Sequence, residues 1–223
     1  MKVTTDASLF GAWVAREECV HQRPHCMLDI GAGTGLLSLM YAQLNPEADV
    51  LAVEVDKAAA LQAAANIEAS AFKERISVFT ADIRAFTSAE RFDVVMSNPP
   101  FYENDIAAAS AQKNIARHGK GLLIRELLSA VDRLLSPDGH FYVLLPYKRL
   151  KEIRHMLEGQ GLKITDILFA RQSVNHDFFR MLVKGGRVAE YGTQISELSI
   201  WDENRLYTPA FRDLLKGYYL QFP

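Results

Sequence analysis

Asp29-Ile30-Gly31-Ala32-Gly33-Thr34-Gly35 decides the fold. It follows a short apolar run, Cys26 to Ile30. It precedes Leu36 to Leu44, where Leu36, Leu37, Leu39, Met40 and Leu44 recur at helical spacing. A glycine-rich turn between a buried strand and a helix opens a parallel βαβ unit. The alternation continues outward. Val50 to Val55 reads as a second strand and the Ala-rich Lys57 to Ser70 as a second helix. Ile76 to Thr80 and Phe92 to Met96 read as strands, Leu122 to Leu135 as a helix and Phe141 to Leu145 as a fifth strand. Tyr147 to Glu158 is helical again, ended by Gly159 and Gly161. This order predicts an α/β fold, a mostly parallel sheet with helices on both faces.

The tail breaks the rhythm. Leu162 to Ala170 and Phe178 to Lys184 are apolar runs separated only by Arg171 to Asp177. No crossover helix fits in that gap, so the last two strands are expected to pair antiparallel. Glu190 to Trp201 is expected to add an edge strand or a lid. Thr208 to Tyr219 reads as a closing helix with Thr208 as N-cap and Pro209 in its first position.

Composition bounds the function. The chain has 223 residues, 49% of them apolar, with 25 Lys and Arg against 27 Asp and Glu, a formal charge of −2. Collagen-like and disordered classes are excluded. Near-neutrality argues against a protein that coats nucleic acid, because such binding neutralises many phosphates, but it leaves room for a local basic patch. Cys19 and Cys26 cannot make a disulfide framework. No secretory leader and no apolar window of membrane-spanning length is read. The expectation is one cytoplasmic domain over residues 1–223, a monomer without membrane contact. Residues 1–25 form a helical lead-in and 186–223 a C-terminal extension.

The motifs carry the chemistry. The loop spacing G-x-G-x-G differs from that of dinucleotide binders, so a small zwitterion fits there as well as a pyrophosphate. Asp29 would meet the zwitterion's amine or, alternatively, cap the following backbone. Glu54, at the end of the second strand, is placed to bind the two hydroxyls of a ribose, unless it is merely solvated. Asp56 reads as a helix cap. Asp82 either accepts from an adenine amino group, with Ile83 packing on the ring, or caps a helix. Together these residues suggest an adenosine-containing ligand. Ser97-Asn98-Pro99-Pro100-Phe101-Tyr102 follows the fourth strand. Two prolines hold the chain extended and remove two amide donors. The Asn98 side-chain oxygen and the Pro99 carbonyl are then free to accept both hydrogens of one planar NH₂ group, with Phe101 stacking on its ring. The alternative is a cis-prolyl or bracing turn. Such acceptors suit methylation of an exocyclic amine: they reorient a delocalised lone pair and stabilise the charge that develops on attack.

This motif series resembles the S-adenosylmethionine-dependent methyltransferases with the seven-stranded Rossmann-like fold. The Asn-Pro-Pro-Phe form resembles the branch that methylates planar amino groups. The opening Met1-Lys2-Val3-Thr4-Thr5-Asp6-Ala7-Ser8-Leu9-Phe10-Gly11-Ala12-Trp13 and the ending Tyr218-Tyr219-Leu220-Gln221-Phe222 are similar to bacterial valine-tRNA adenine-N6 methyltransferases, which modify adenine 37. The resemblance covers essentially the whole chain. It implies S-adenosyl-L-methionine as cofactor, held by Thr5, Asp29, Gly31, Gly33, Gly35, Glu54, Asp82, Ile83 and Asn98. It implies catalysis by Asn98, Pro99, Pro100 and Phe101 on a tRNA substrate. Members of that family carry a short segment before the Met-Lys-Val stretch, so a further strand or lid is expected there. Relatives have Tyr directly after the prolines, whereas here Phe101 precedes Tyr102; either ring can stack. Glutamine-amide protein methyltransferases and guanine-N2 ribosomal RNA methyltransferases share the four-residue loop. The former add a sizeable N-terminal domain, for which the 25 residues before Cys26 leave no room. A cofactor-binding module without catalysis is disfavoured by the intact loop.

Other clusters are weaker signals. Cys19, His21, His25 and Cys26 fit no common zinc spacing, and no metal is expected. Lys113, Arg117, His118 and Lys120 follow the Pro-Pro loop and read either, with Tyr102, as contacts to RNA or as a solvated helix start. Lys148, Arg149, Lys151 and Arg154 read as the exposed face of a helix. Arg171 and His176 flank the last hairpin turn without an assigned role.

Overall fold

The structure, a computed structural model, describes residues 4–19, 25–100, 122–188 and 192–222. Eight strands form one sheet in the order β3-β2-β1-β4-β5-β7-β6-β8. They are β1 (His25–Ile30), β2 (Ala48–Glu54), β3 (Ile76–Thr80), β4 (Phe92–Ser97), β5 (Leu135–Pro146), β6 (Lys163–Ser173), β7 (Phe178–Gly186) and β8 (Gln194–Trp201). Every pairing is parallel except those of β7 with β5 and with β6. The short gap before Phe178 thus has the predicted effect, and the fold is the expected Rossmann-like one. Its strand count is not: the resemblance implied seven, and β8 adds an eighth by pairing in parallel along β6.

The helices are α1 (Thr5–Glu18), α2 (Leu36–Leu44), α3 (Lys57–Glu68), α4 (Ile124–Leu134), α5 (Leu150–Glu158) and α6 (Pro209–Leu215). Local chemistry sets their ends. The Asp56 side chain accepts from the Ala59 amide at the start of α3 (2.8 Å), and Thr208 accepts from Phe211 at the start of α6. Two apolar cores flank the sheet. One joins α1, α2 and α6 to strand residues such as Met27, Met96 and Tyr142. The other joins α4 and α5 to Leu28, Val95 and Phe141. Buried on both faces, β1 and β4 read as continuous apolar runs rather than alternating ones.

Strand β5 is longer than the expected Phe141 to Leu145. Its pairing with β4 jumps from Phe92↔Leu135 to Val94↔His140, so a bulge absorbs the turn-like Ser136-Pro137-Asp138-Gly139 within the strand. The functional consequence of the topology lies at β1 and β4. The strand order reverses between them, and ligands bind open α/β sheets outside the carboxyl ends of such strands.

Candidate active site

A cavity of about 560 Å³ opens at that place, within the range usual for small-molecule sites. Four strand ends and the start of α1 supply most of its wall. Gly31, Gly33 and Thr34 come from the loop after β1, and Glu54 to Asp56 from the end of β2. Ala81 to Arg84 follow β3, and Ser97 to Pro100 follow β4. Thr4, Asp6 and Ala7 come from the start of α1, Arg180 from β7, and Leu122 precedes α4.

The glycine loop is anchored through Glu54. Its Oε2 accepts from the Gly33 amide and its Oε1 from the Asp56 amide, each at 2.8 Å. The Gly31 and Ala32 amides donate to the Val53 carbonyl at 2.8 and 3.2 Å. Gly31 has φ +73°, and a Cβ there would meet no protein atom within 4 Å, so its side faces ligand space. Gly35 differs. With φ +82°, its would-be Cβ lies 3.4 Å from that of Ala63, so it lets α3 approach closely and does not wall the cavity.

Asp29 lies beneath the loop, fully buried, and Ile30 and Gly31 form the wall in its place. The Ser38 hydroxyl donates to its Oδ2 at 2.7 Å, while Oδ1 is buried without a partner. Burial pushes its carboxyl up to about 6, aided by the Glu54 charge, and the Ser38 bonds offset only part of this. An orphaned buried carboxylate oxygen under a ligand loop suits an ammonium group as partner. Across the cavity, the Ser97 hydroxyl donates to the Ile30 carbonyl at 2.8 Å and ties the end of β4 to that of β1. Asn98 is half-buried and Pro99 buried on the wall. No peptide bond among the described residues is cis.

Asp82 and Ile83 reach the wall together. Arg84 grips the Asp82 carboxylate, its Nε at 2.9 Å from both oxygens and its Nη2 at 2.5 Å from Oδ2. These bonds hold the Asp82 carboxyl below its ordinary range. Thr5 is exposed and lies outside the wall that its neighbours Thr4 and Asp6 join. Phe101, Tyr102, Lys113, Arg117, His118 and Lys120 lie outside the described residues.

Sequence reasoning missed Asp6, Arg84, Ser97 and Arg180. Arg180 Nε donates to Asp6 Oδ2 at 2.9 Å, a pair joined across 174 positions of sequence. Burial raises the Asp6 carboxyl, but the Thr4 and Arg180 bonds outweigh it and hold the group below its usual range. No sequence spacing signals such a pair. The Asp82-Ile83-Arg84 spacing would have been a usable signal for the other. Among the described residues, no group of three or more His, Cys, Asp or Glu side chains is placed to hold a metal. No helix among them is long and apolar enough to cross a membrane.

Sheet order, glycine loop and strand-end acids together define a methyltransferase of the Rossmann-like class. A family model described as the methyltransferase small domain matches residues 17–150. The fold is similar to a predicted O-methyltransferase of Agrobacterium tumefaciens, with a TM-score of 0.71 and 21% identity over 95% of both chains. It also resembles a SAM-dependent methyltransferase of Thiobacillus denitrificans solved with S-adenosyl-L-homocysteine, with a TM-score of 0.52 and 14% identity over 70% of this chain and 65% of that one. Closer relatives give the particular branch. The chain is 40% identical over its whole length to a Dyadobacter fermentans protein and covers 92% of it. It is 42% identical to one of Bacteroides thetaiotaomicron, over 99% of this chain and 91% of that one. Both are named tRNA1(Val) (adenine(37)-N6)-methyltransferase, and the chain belongs to that family.

Proposed function

We propose that this protein transfers a methyl group from S-adenosyl-L-methionine to the exocyclic N6 amine of adenine 37 in a valine tRNA. The observation that carries this reading is identity along essentially the whole chain to relatives of that name. The cavity supports it with a set of partners suited to each part of the cofactor. The orphaned Asp29 Oδ1 suits the amine of a methionine moiety, and Gly31 leaves room for its backbone. Glu54 suits the ribose, and Asp82 with Ile83 suits the adenine.

The cofactor supplies an electrophilic methyl group when bound. The chain's own residues have to present the nucleophile. An adenine amine is a poor one, because its lone pair is spread into the ring. The Asn98 side-chain oxygen and the Pro99 carbonyl accept its two hydrogens and turn the lone pair out of conjugation. As the nitrogen attacks, its N–H bonds become more acidic and both hydrogen bonds strengthen, so they stabilise the transition state more than the bound substrate. The prolines at 99 and 100 have no amide hydrogens to compete, and Pro100 restricts the residue before it to extended backbone. Phe101 and Tyr102 are the stacking partners proposed for the target base, which leaves its own stack to enter.

The test is transfer of labelled methyl groups to unmodified valine tRNA, followed by mapping of the modified base. Incorporation at adenine 37 is expected. Label in protein or ribosomal RNA but not in tRNA would overturn the reading.

A further inference from the structure

Beside the cavity lies a surface that the reaction as described does not use. Pro146 on β5 pairs with Arg180 on β7, and Arg180 walls the cavity. Tyr147 follows directly and is 38% exposed. Its ring contacts Phe169 at 5.1 Å and Phe178 at 5.5 Å between centroids, and those two rings lie 5.4 Å apart. Phe169, 8% exposed, belongs to the core under α4 and α5, so the aromatic group is anchored from below. The Arg171 guanidinium lies 5.2 Å from the Phe178 centroid, held by Ser199 Oγ at 2.7 Å and Glu197 at 3.6 Å. From Tyr147 onward, Lys148, Lys151 and Arg154 recur every third residue and share one face. All three are exposed, and none forms an ion pair among the described residues.

We infer that this rim binds the anticodon loop of the tRNA. Tyr147 and the Arg171–Phe178 pair stack an unpaired nucleotide next to the target base, and Lys148, Lys151 and Arg154 contact backbone phosphates. The inference rests on the tRNA reading above and extends it to the surface that grips the RNA. Sequence-specific RNA binding favours unstacked loop bases laid on aromatic or guanidinium planes. A base flipped into the cavity leaves its neighbour without a stacking partner, and a rigid ring at the cavity's edge replaces it. A chain of net charge −2 needs its cations concentrated in this way to hold an anionic partner.

The experiment measures binding of a fluorescent, unmodified anticodon stem-loop to the whole protein across a salt series. Tyr147→Ala should weaken binding about ten-fold, while Tyr147→Phe binds like wild type. Lys148→Gln, Lys151→Gln and Arg154→Gln combined should lower the slope of log affinity against log salt by about two units. Cofactor affinity should be unchanged in both variants, which checks folding. Undiminished affinity in Tyr147→Ala, or an unchanged salt slope in the triple variant, overturns the inference. Binding that depends on these residues without methylation of any tRNA would uphold the surface and overturn the assigned reaction instead.

Discussion

Two buried carboxylates, one on a helix and one on a strand, are treated in opposite ways. Glu18, 2% exposed, ends α1, about 20 Å of helix from the residues of α1 that wall the cavity. Its Oε1 accepts from the Tyr142 hydroxyl at 2.5 Å and lies 2.9 Å from His140 Nδ1. Burial alone would raise its carboxyl, but the bonds from His140 and Tyr142 outweigh that and hold it below its ordinary range. Asp29, under the glycine loop, keeps an oxygen without a partner and is pushed up to about 6. The first group is completed by the fold. The second keeps one oxygen unmet by the fold, and the function proposed above assigns that oxygen to the cofactor's amine. Burial alone therefore does not distinguish the two acids; the unmet hydrogen-bonding capacity of Asp29 does.

The largest effect that would sharpen this contrast is kinetic. Under the proposed mechanism, Asn98→Ala removes an acceptor that acts as charge develops. Turnover should fall by about two to three orders of magnitude, with thermal stability unchanged. A loss confined to the apparent affinity for tRNA would show that Asn98 only binds. Next, Glu18→Ala leaves His140 and Tyr142 facing a vacancy and should destabilise the protein by about 2–4 kcal/mol. Denaturant unfolding measures this, and cofactor affinity should be untouched. Because the Glu18 carboxyl is depressed by folding, its contribution is present above its unfolded value and fades as the pH falls through the folded one.

Asp29→Asn should act in the other direction. A carboxyl raised from 3.8 to about 6 contributes stability in acid that is lost as the pH rises through about 6. The asparagine variant of the ligand-free protein should therefore be more stable than wild type at pH 8, by about 3 kcal/mol, with the difference vanishing only below about pH 3. It should also bind the cofactor more weakly. A destabilised variant at pH 8 would erase the contrast between the two acids. The smallest expected effect separates two glycines. Gly31→Ala and Gly35→Ala both place a side chain at positive φ, at about 1 kcal/mol each. Only Gly31→Ala should also block the ligand, since Gly35 faces Ala63. Equal losses of cofactor affinity would refute that division.

Much of this was legible in the sequence because local patterns determine it. Leu36–Leu44 and Ile76–Thr80 have the predicted bounds. The Thr208 cap and the antiparallel β6–β7 pair follow from short-range chemistry. The beginning of β5 was not legible, since Pro137-Asp138-Gly139 reads as a turn and only the partner strand reveals the bulge. Gly31, Glu54, Asp82 and Asn98 converge on the cavity because each ends or follows a parallel strand, and parallel strands end on one edge. Asp6 and Arg180 obey no such rule. One lies on a helix and the other on the inverted strand, and only packing of α1 against the sheet brings them together.

That inverted strand has a consequence for redesign. In a wholly parallel sheet every residue bordering the site comes from a strand's end or the loop after it. Because β7 runs backwards, its first residues stand there instead, and the turn 174–177 between β6 and β7 projects from the same edge. Both ends of this turn are fixed in the sheet, so its length and composition can change without disturbing either core. It is the natural graft point for teaching this scaffold a different RNA.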